Sequence, residues 1–337
     1  MPVGPALLGG ARALVVSLLL APVVLNVLTR RRVLDHPSDR SSHVTPVPRG
    51  GGLAPAVGAL VALAVASPLR VADRWGLGAV AALFACIGLA EDLKGIGSLR
   101  RLALQFVVAG AAGLLLLQDM TGPMLGRCLF VAGAMFCLVG YTNAYNFMDG
   151  IDGISVVQAV AAGAAWFAVG ASTDVPALTA GGAIIAGAAL GFAPYNMPRA
   201  RVFLGDVGSY FIGAWLAAVA ILGVRAGVAP EAVIAPLAVY LADTATTLVR
   251  RIVRGERWYL PHREHVYQRL IDLGWSHMRT SAFVGGCIAV CCALGAISLG
   301  DSLPARVAAD ATIAGVVGAY LTAPKWLAHR TSSVAVA

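Results

Sequence analysis

Long apolar stretches separated by short polar segments run through nearly the whole chain of 337 residues. About eleven of them, each of roughly 15–23 residues, are apolar enough to cross a bilayer as helices, the shorter ones with help from flanking residues or local thinning. Hydrophobic residues make up 58% of the sequence and charged residues 12%, and the mean hydropathy is +0.79, far from the values of a soluble domain. The sequence therefore predicts an all-α, polytopic integral membrane protein with a single membrane-embedded domain over residues 1–337. The apolar stretches are 6–28, 51–69, 76–90, 102–117, 128–142, 154–170, 177–193, 210–224, 231–249, 281–299 and 305–322.

The lysines and arginines predict the orientation of these helices. An N-terminus outside the cytoplasm places all but six of the 25 basic residues in cytoplasmic segments, as the positive-inside rule requires. An odd number of spans then puts the C-terminus in the cytoplasm. The cytoplasmic segments are predicted at about 29–50, 91–101, 143–153, 195–209 and 250–281, whereas the six remaining residues are Arg12, Arg70, Arg74, Arg127, Arg225 and Arg306.

Charge and cysteine content exclude several other classes of protein. The net charge of +8 lies in short loops beside membrane ends, where topology and anionic lipid explain it, so we predict no nucleic-acid partner. The six cysteines fall within predicted spans without metal-ligand spacing, which indicates packing residues. The first apolar stretch lacks a small-residue cleavage site and is followed by three arginines, which predicts a retained span and no signal peptide.

Four polar clusters interrupt the apolar pattern, and all lie on the predicted cytoplasmic face. They are residues 91–92, 143–153, 203–209 and 262–265. Carboxylates, amides and histidines collected at one membrane face, with glycines that let backbone approach a ligand, indicate a membrane enzyme with a polar reaction site. A secondary transporter is the competing class, since it also combines many spans with intramembrane acids. The lack of repeated halves and the position of the acids at one face disfavour it.

The second cluster has the residue types of a magnesium site. Asn143, Asn146, Asp149 and Asp152 follow one another at intervals of three, so on a continuing helix they would form one stripe. Magnesium takes a few carboxylate or amide oxygens and completes its shell with water and substrate phosphates. A helix cap followed by an Asp-Gly turn explains the same residues equally well.

The other clusters allow two interpretations each. Asp206 stands between glycines, with Arg199 and Arg201 upstream. It either shares a cation with the stripe in the 143–153 cluster or caps the eighth span. Glu91 and Asp92 repel one another, so either a cation and hydrogen-bond donors lie nearby or the loop is solvated.

Two histidines and one intramembrane acid complete the candidates. His262 and His265 have helical spacing, but no third zinc ligand is evident and Arg263 opposes a cation, which favours an anion-binding loop over a zinc site. Asp243, a costly intramembrane acid in the ninth span, is expected to pair with a cytoplasmic arginine and support the site.

Five ordered motifs resemble the polyprenyl-phosphate N-acetylhexosamine-1-phosphate transferases, closest to the branch that initiates bacterial O-antigen. The motif forms fit the peptidoglycan branch less well. One position departs from the family pattern, because Glu91 stands where the first of two paired aspartates is expected. The motifs are DHPSDRSSH at 35–43 with PVPRGGG at 46–52, Glu91 and Asp92 with Arg101 and Gln105, NAYNFMDGIDG at 143–153, NMPRARVFLGDVGS at 196–209 and HREHVYQ at 262–268.

The resemblance implies transfer of a sugar-1-phosphate from a UDP-sugar to undecaprenyl phosphate in the bacterial inner (cytoplasmic) membrane, with UMP released. The sugar is expected to be an N-acetylated hexosamine or 6-deoxyhexosamine. Magnesium, or manganese in its place, would be held by Asn146 and Asp206, while Asp152 and Phe203 would contact uracil. Asp92 would orient or deprotonate the acceptor phosphate and Arg101 would attract it.

The remaining implied roles concern the donor and the substrate site. The residues implied to grip the donor phosphates or sugar are His262, Arg263 and His265, and Glu91 and Asp206 complete the catalytic set. Substrate contacts are also expected from Asn143, Asp149, Lys94 and His43. The sequence leaves open which sugar is used and whether the protein is a homodimer.

Overall fold

A computed structural model describes residues 3–35, 37, 45–66, 68–118, 120–257, 259–260 and 262–334. These ranges contain a bundle of α-helices, one 3-10 helix and two very short strands. In chain order the elements are α1 (Val3–Arg31), β1 (Leu34–Asp35), β2 (Val47–Pro48), α2 (Leu53–Ala66), α3 (Val71–Lys94), α4 (Ser98–Gln118), α5 (Met124–Met148), α6 (Ile154–Thr173), α7 (Pro176–Asn196), α8 (Gly205–Arg225), α9 (Pro230–Ile234), a 3-10 helix (Ala235–Leu237), α10 (Ala238–Val253), α11 (Val266–Asp272), α12 (His277–Ile297) and α13 (Leu303–Val334).

Each apolar stretch found in the sequence is helical over most of its described residues. Among the described residues, ten helices are long and apolar enough to cross a membrane, counting α9, the 3-10 helix and α10 as one broken span. The predicted stretch 51–69 lies on α2, whose 14 residues are fewer than the about 20 that a bilayer requires. The prediction of an all-α, multi-pass membrane protein is confirmed, and its orientation stays a prediction.

Helix α8 lies at the centre of the bundle. Every residue from Gly205 to Gly223 is buried, and α8 packs against α3, α5 and α7. Close approach of α3 depends on Gly88, because a Cβ atom there would lie 2.1 Å from the carbonyl oxygen of Asp206. A helix enclosed on all sides has a fixed position, so the first turn of α8 can carry a site with precise geometry.

A small irregular segment holds the start of α8 from outside the bundle. Strands β1 and β2 pair antiparallel, a minor addition to the all-α prediction, and the next residue, Arg49, forms a parallel bridge with Phe203. The backbone N–H groups of Gly51 and Gly52 donate to the carbonyls of Phe203 (2.9 Å) and Leu204 (2.8 Å). The glycine run therefore docks on the chain just before α8.

Candidate active site

Asp206, in the first turn of α8, is the centre of the polar cluster. Its Oδ1 accepts hydrogen bonds from Arg49 Nη2 at 2.8 Å and from Asn146 Nδ2 at 3.0 Å. Its Oδ2 accepts from Arg101 Nη1 at 3.0 Å. The carboxylate is thus bound by two cations and an amide that come from three separate parts of the chain.

The partners of Asp206 correct one expectation. Arg199 and Arg201 were expected beside it, but Arg201 donates to the carbonyl of Pro194 and lies over the ring of Tyr195, and Arg199 is exposed. These two arginines are close to Asp206 in sequence but point away from it, because the chain turns between 196 and Gly205. Arg49, to which no role was given, takes their place.

Asp92 holds the amino end of α8. Its carboxylate oxygens accept hydrogen bonds from the backbone N–H groups of Asp206 (3.0 Å) and Val207 (2.9 Å), and Oδ1 lies 2.8 Å from Arg49 Nε. A helix amino end carries partial positive charge, so a buried carboxylate is favourable there. The Asp92 side chain, only 1% exposed, therefore anchors α8 from the end of α3.

Glu91 shares Arg101 with Asp206, because Arg101 Nη1 contacts both carboxylates. Its Oε1 lies 3.3 Å from Arg101 Nη1, and its Oε2 accepts a hydrogen bond from the backbone N–H of Ile96. The two adjacent acids are each compensated by an arginine and by backbone donors. This agrees with the interpretation that cations and donors lie nearby, and not with a solvated loop.

The 143–153 segment does not form the single stripe that its spacing predicted. Helix α5 ends at Met148, so only Asn143 and Asn146 lie on it. Asn143 Nδ2 donates to Gln105 Oε1 at 2.6 Å, while Asn146 contacts Asp206 and Ser209. Asp149 and Asp152 leave the stripe because the backbone at Asp149 is no longer helical.

Asp149 and Asp152, beyond the end of α5, have separate environments. Asp149 accepts a hydrogen bond from the Ser155 hydroxyl at 2.6 Å, and burial raises its pKa to about 7. Asp152 Oδ2 lies 3.1 Å from Nδ1 of His277, at the start of α12. The structure records no hydrogen bond between Asp152 and the Asp206 cluster.

The 262–268 loop lies against the 143–153 segment. The Tyr267 hydroxyl donates to the carbonyl of Phe147 at 3.1 Å, and the rings of His262 and His265 lie 6.2 and 6.1 Å from the Phe147 ring. Gly150 permits this approach, because a Cβ atom there would overlap the Tyr267 hydroxyl. The predicted histidine loop and the predicted magnesium segment are therefore neighbours.

Side chains of the loop differ in what they contact. Arg263 Nη2 lies 2.8 Å from Asp272 Oδ1. Burial, followed by the electrostatic influence of His265 and Arg251, lowers the pKa of His262 to about 4, so its ring is neutral at pH 7. His265 Nδ1 lies 3.0 Å from Asp243 Oδ1, which corrects the expectation that Asp243 pairs with an arginine.

The remaining predicted substrate residues are Lys94, Phe203 and His43. Lys94 is exposed at the end of α3. Phe203 contributes its backbone to the docking of the glycine run, and its side chain is partly buried. His43 lies outside the described residues.

Several residues of the site escaped sequence reasoning. Arg49, Ser155, His277 and Tyr320 all contact predicted site residues. For Arg49 the glycine run that follows it was a usable signal, because such a run allows close backbone approach. The other three carry no local pattern that separates them from ordinary helix residues.

Asn146 and Asp206, the predicted metal ligands, lie in direct contact, but Asn146 turns its amide Nδ2 towards the carboxylate. The Asp206 carboxylate suits magnesium, which needs few protein ligands, and Asn146 would join it only with its amide turned so that the oxygen faces the ion. The described residues contain no group of three or more His, Cys, Asp or Glu side chains arranged for a metal ion. A metal at this site would therefore depend on substrate and water for most of its shell.

Comparison with known proteins identifies the family. Residues 74–224 match the model described as glycosyl transferase family 4. The decaprenyl-phosphate N-acetylglucosaminephosphotransferase of Mycobacterium leprae (strain TN) is 30% identical over 320 residues, which cover 83% of this chain and 80% of that protein. The probable undecaprenyl-phosphate N-acetylglucosaminyl 1-phosphate transferase of Bacillus subtilis (strain 168) is 30% identical over 286 residues, with 79% and 77% covered.

A more distant relative belongs to another branch. The phospho-N-acetylmuramoyl-pentapeptide-transferase of Desulfatibacillum aliphaticivorans is 29% identical over 250 residues, covering 62% of this chain and 69% of that protein. The first two relatives extend over most of this chain. Residues from four of the motifs meet at the amino end of α8: Arg49, Asp92, Arg101, Asn146 and Asp206. The chain belongs to the polyprenyl-phosphate N-acetylhexosamine-1-phosphate transferases of glycosyl transferase family 4.

Proposed function

We propose that this protein transfers a sugar-1-phosphate from a UDP-sugar to undecaprenyl phosphate, with Mg²⁺ as its metal, and so initiates a cell-surface polysaccharide such as O-antigen. The observation that carries the proposal is the cluster at Asp206, where Arg49, Arg101 and Asn146 converge at one end of a membrane bundle. Family membership supports transfer to a polyprenyl phosphate, since the relatives are named for that activity. The UDP donor, the N-acetylated hexosamine or 6-deoxyhexosamine, and the pathway are our proposal.

The reaction needs a lipid phosphate and a nucleotide sugar at one polar site. An oxygen of the lipid phosphate attacks the phosphorus that bears the sugar, and the bond from that phosphorus to the oxygen of UMP breaks. The products are the lipid pyrophosphoryl sugar and UMP. Such phosphoryl transfer requires mainly positioning and charge neutralisation.

Arg49 and Arg101 are suited to neutralise phosphate charge. Both guanidinium groups are partly exposed, with 35% and 19% of each side chain accessible, and each can bind phosphate oxygens in a bidentate manner. Arg101 lies in the first turn of α4, the helix that follows Glu91 and Asp92, as expected of a group that attracts the acceptor. Arg49 reaches the same carboxylate from the other side.

Asp92 is better suited to positioning than to removing a proton. Its oxygens already accept two backbone hydrogen bonds and contact Arg49. A phosphate monoester has a second pKa of about 6 and is mostly ionised at neutral pH, so the acceptor needs no strong base. We therefore assign Asp92 the role of fixing Asp206 and Arg49.

Asn146 and Asp206 are the residues that would hold Mg²⁺, or Mn²⁺ in its place. When bound, the ion supplies positive charge for the donor pyrophosphate. Asp206 keeps the two arginines in reach of the same region, and Asn146 fixes the position of Asp206. Asn143 and Asp149 support this end of α5.

The donor nucleotide is proposed to lie on the side of the 143–153 segment. Asp152 and Phe203 would contact uracil, and His262, Arg263 and His265 would bind the phosphates or the sugar. Lys94, at the exposed end of α3, would contact substrate at the rim. The orientation expected from the basic residues puts this site on the cytoplasmic face of the bacterial inner membrane, where nucleotide sugars are available.

The test uses purified protein, undecaprenyl phosphate, Mg²⁺ and a panel of radiolabelled UDP-sugars. We expect release of UMP and a labelled lipid pyrophosphate, and loss of both in excess EDTA with recovery on adding Mg²⁺. Full activity in EDTA would remove the metal from the proposal. Release of free phosphate or UDP would indicate a phosphatase or another glycosyltransferase, and no release at all would favour a transporter.

A second experiment separates direct attack from a covalent route. Labelled UMP and UDP-sugar are incubated with enzyme in the absence of lipid. Direct attack predicts no exchange of label into UDP-sugar, because the reaction cannot start without the acceptor. Robust exchange would support a phosphorylated enzyme and contradict our mechanism.

A further inference from the structure

A buried acid lies behind the histidine loop. Asp243, on α10, is fully buried, and its Oδ2 accepts hydrogen bonds from the Tyr320 hydroxyl at 2.7 Å and from the Val266 backbone N–H at 3.0 Å. Its Oδ1 lies 3.3 Å from the Thr247 hydroxyl and 3.0 Å from His265 Nδ1. An acid enclosed in a membrane bundle is costly unless such donors surround it.

These contacts fix which ring nitrogen of His265 carries the proton. An ionised carboxylate can only accept hydrogen bonds, so the nitrogen facing Asp243 has to be the donor. When its ring is neutral, His265 is therefore held as the Nδ1–H tautomer, with a free lone pair on Nε2. The state of one nitrogen is set by the hydrogen bond that the other makes.

The ring of His265 is also fixed in orientation. It stacks on Tyr267, with ring centroids 6.0 Å apart and planes 9° apart, and on Phe147, at 6.1 Å and 25°. Among the described residues, His265 Nε2 has no hydrogen-bond partner. The atom is not completely enclosed by protein. Because Nδ1 faces Asp243, Nε2 points away from α10. The ring is only 2% exposed, and the His262 ring lies 4.9 Å from it, between centroids.

We propose that Asp243 is a positioning residue that holds His265 as the Nδ1–H tautomer, so that Nε2 accepts a hydrogen bond from an O–H or N–H group of the donor substrate. This inference rests on the proposed function and deepens it. Phosphate oxygens of a nucleotide sugar carry no proton at neutral pH, so they do not fit a lone pair. The group that fits is a hydroxyl or an amide of the sugar or nucleoside, and the phosphates are left to the arginines.

The first measurement is the tautomer itself, in the parent protein. The ¹⁵N resonances of its histidine rings are recorded in detergent, and His265 is assigned by the signal that His265→Gln removes. We expect a protonated Nδ1 and an unprotonated Nε2. A protonated Nε2, whether in the Nε2–H tautomer or in the doubly protonated ring, would overturn the proposal.

The second measurement is turnover by Asp243→Asn, with Asp73→Asn as the matched control. Asp73 is an acid at the other end of the bundle, paired with Arg225 on α8. In Asp243→Asn the new amide can donate to Nδ1 and shift the proton to Nε2, so we expect kcat/KM for the donor to fall about 10- to 100-fold, as for other residues that orient a functional histidine. The KM for the lipid should be unchanged, and the Asp73 variant should match the parent.

The outcomes separate positioning from a structural role. If Asp243→Asn loses only thermal stability, and its folded fraction keeps the parent's kcat/KM for the donor, the proposal is wrong. UMP release by the parent is measured first. Its absence overturns the proposed function and the substrate side of this inference, whereas the ¹⁵N spectrum still reports on the Asp243–His265 pair.

Discussion

Replacing Gly88 by Ala tests whether the contact between α3 and α8 sets the geometry of the site. A Cβ atom at this position would lie 2.1 Å from the Asp206 carbonyl oxygen, 2.4 Å from its carbon and 2.7 Å from Val207 N. All three are backbone atoms, which cannot rotate away as a side chain can. The two helices therefore have to separate by roughly 1 Å, a displacement that can reduce a rate about 100-fold.

The cost to stability follows from the same contact. Overpacking of this kind destabilises by about 1–3 kcal/mol. Separation also stretches the hydrogen bonds from Asp206 N and Val207 N to Asp92, now 3.0 and 2.9 Å, and bonds to charged groups contribute about 1.5–3 kcal/mol each. We therefore expect both a lower melting temperature and a lower rate.

The control is Gly76→Ala on the same helix, where a Cβ atom meets nothing within 4 Å. Alanine in a helix interior is favoured over glycine by about 0.5–1 kcal/mol, so this variant should be as stable as the parent or more so. Thermal unfolding in detergent and UMP release are measured for both. If Gly88→Ala unfolds at the parent's temperature and transfers at the parent's rate, the contact does not set the geometry of the site.

Three further substitutions address single side chains. Asp206→Asn keeps the volume but removes the charge bound by Arg49 and Arg101, so transfer should fall by several orders of magnitude with folding intact; turnover within about tenfold of the parent would contradict this. His262 has a folded-state pKa of about 4, below its unfolded value of about 6.5, so the stability from its neutral form is present above pH 6.5 and is lost as the pH falls towards 4. His262→Gln should therefore lose less melting temperature than the parent over this window, and parallel curves would refute the assignment. Arg263→Lys keeps the charge but loses the planar fork, so the donor KM should rise while the lipid KM stays constant. The control is Asp272→Asn, which removes the acid paired with Arg263 but leaves the arginine in place. An equal effect in both variants would indicate a structural ion pair.

Hydropathy and helix direction predicted the architecture and the neighbourhood of the site. The spans could be found because each depends on local composition, and the clusters meet because they stand at helix ends on one side of the bundle. Asp92, Arg101, Asn146 and Asp206 are joined by direct contacts, as their positions suggested.

The partners of individual side chains could not be found in this way. Arg49 and Arg101 lie 157 and 105 residues from Asp206 in sequence, while the nearby Arg201 turns elsewhere. Asp243 contacts His265, and not an arginine, because the loop after α10 folds back over it. Sequence spacing tells which end of a helix a group occupies, but pairing across the bundle depends on how whole helices pack.

The arginines of the site already have counter-ions. Arg49 and Arg101 together face Asp92, Asp206 and Glu91 at 2.8 to 3.3 Å, and Arg49 also faces Asp35 at 3.7 Å. Among the described residues, two positive groups are thus matched by four negative ones. A phosphate that binds here therefore replaces a carboxylate as the partner of a guanidinium group. The displaced carboxylate then needs another cation. A small monovalent anion carries too little charge to replace a carboxylate in this way. A pyrophosphate that binds together with a divalent ion supplies both the negative charge for the guanidinium group and the cation for the displaced carboxylate. Under the proposed function, the charge balance of the cluster therefore favours a substrate that brings a divalent ion, before any group recognises the sugar or the base.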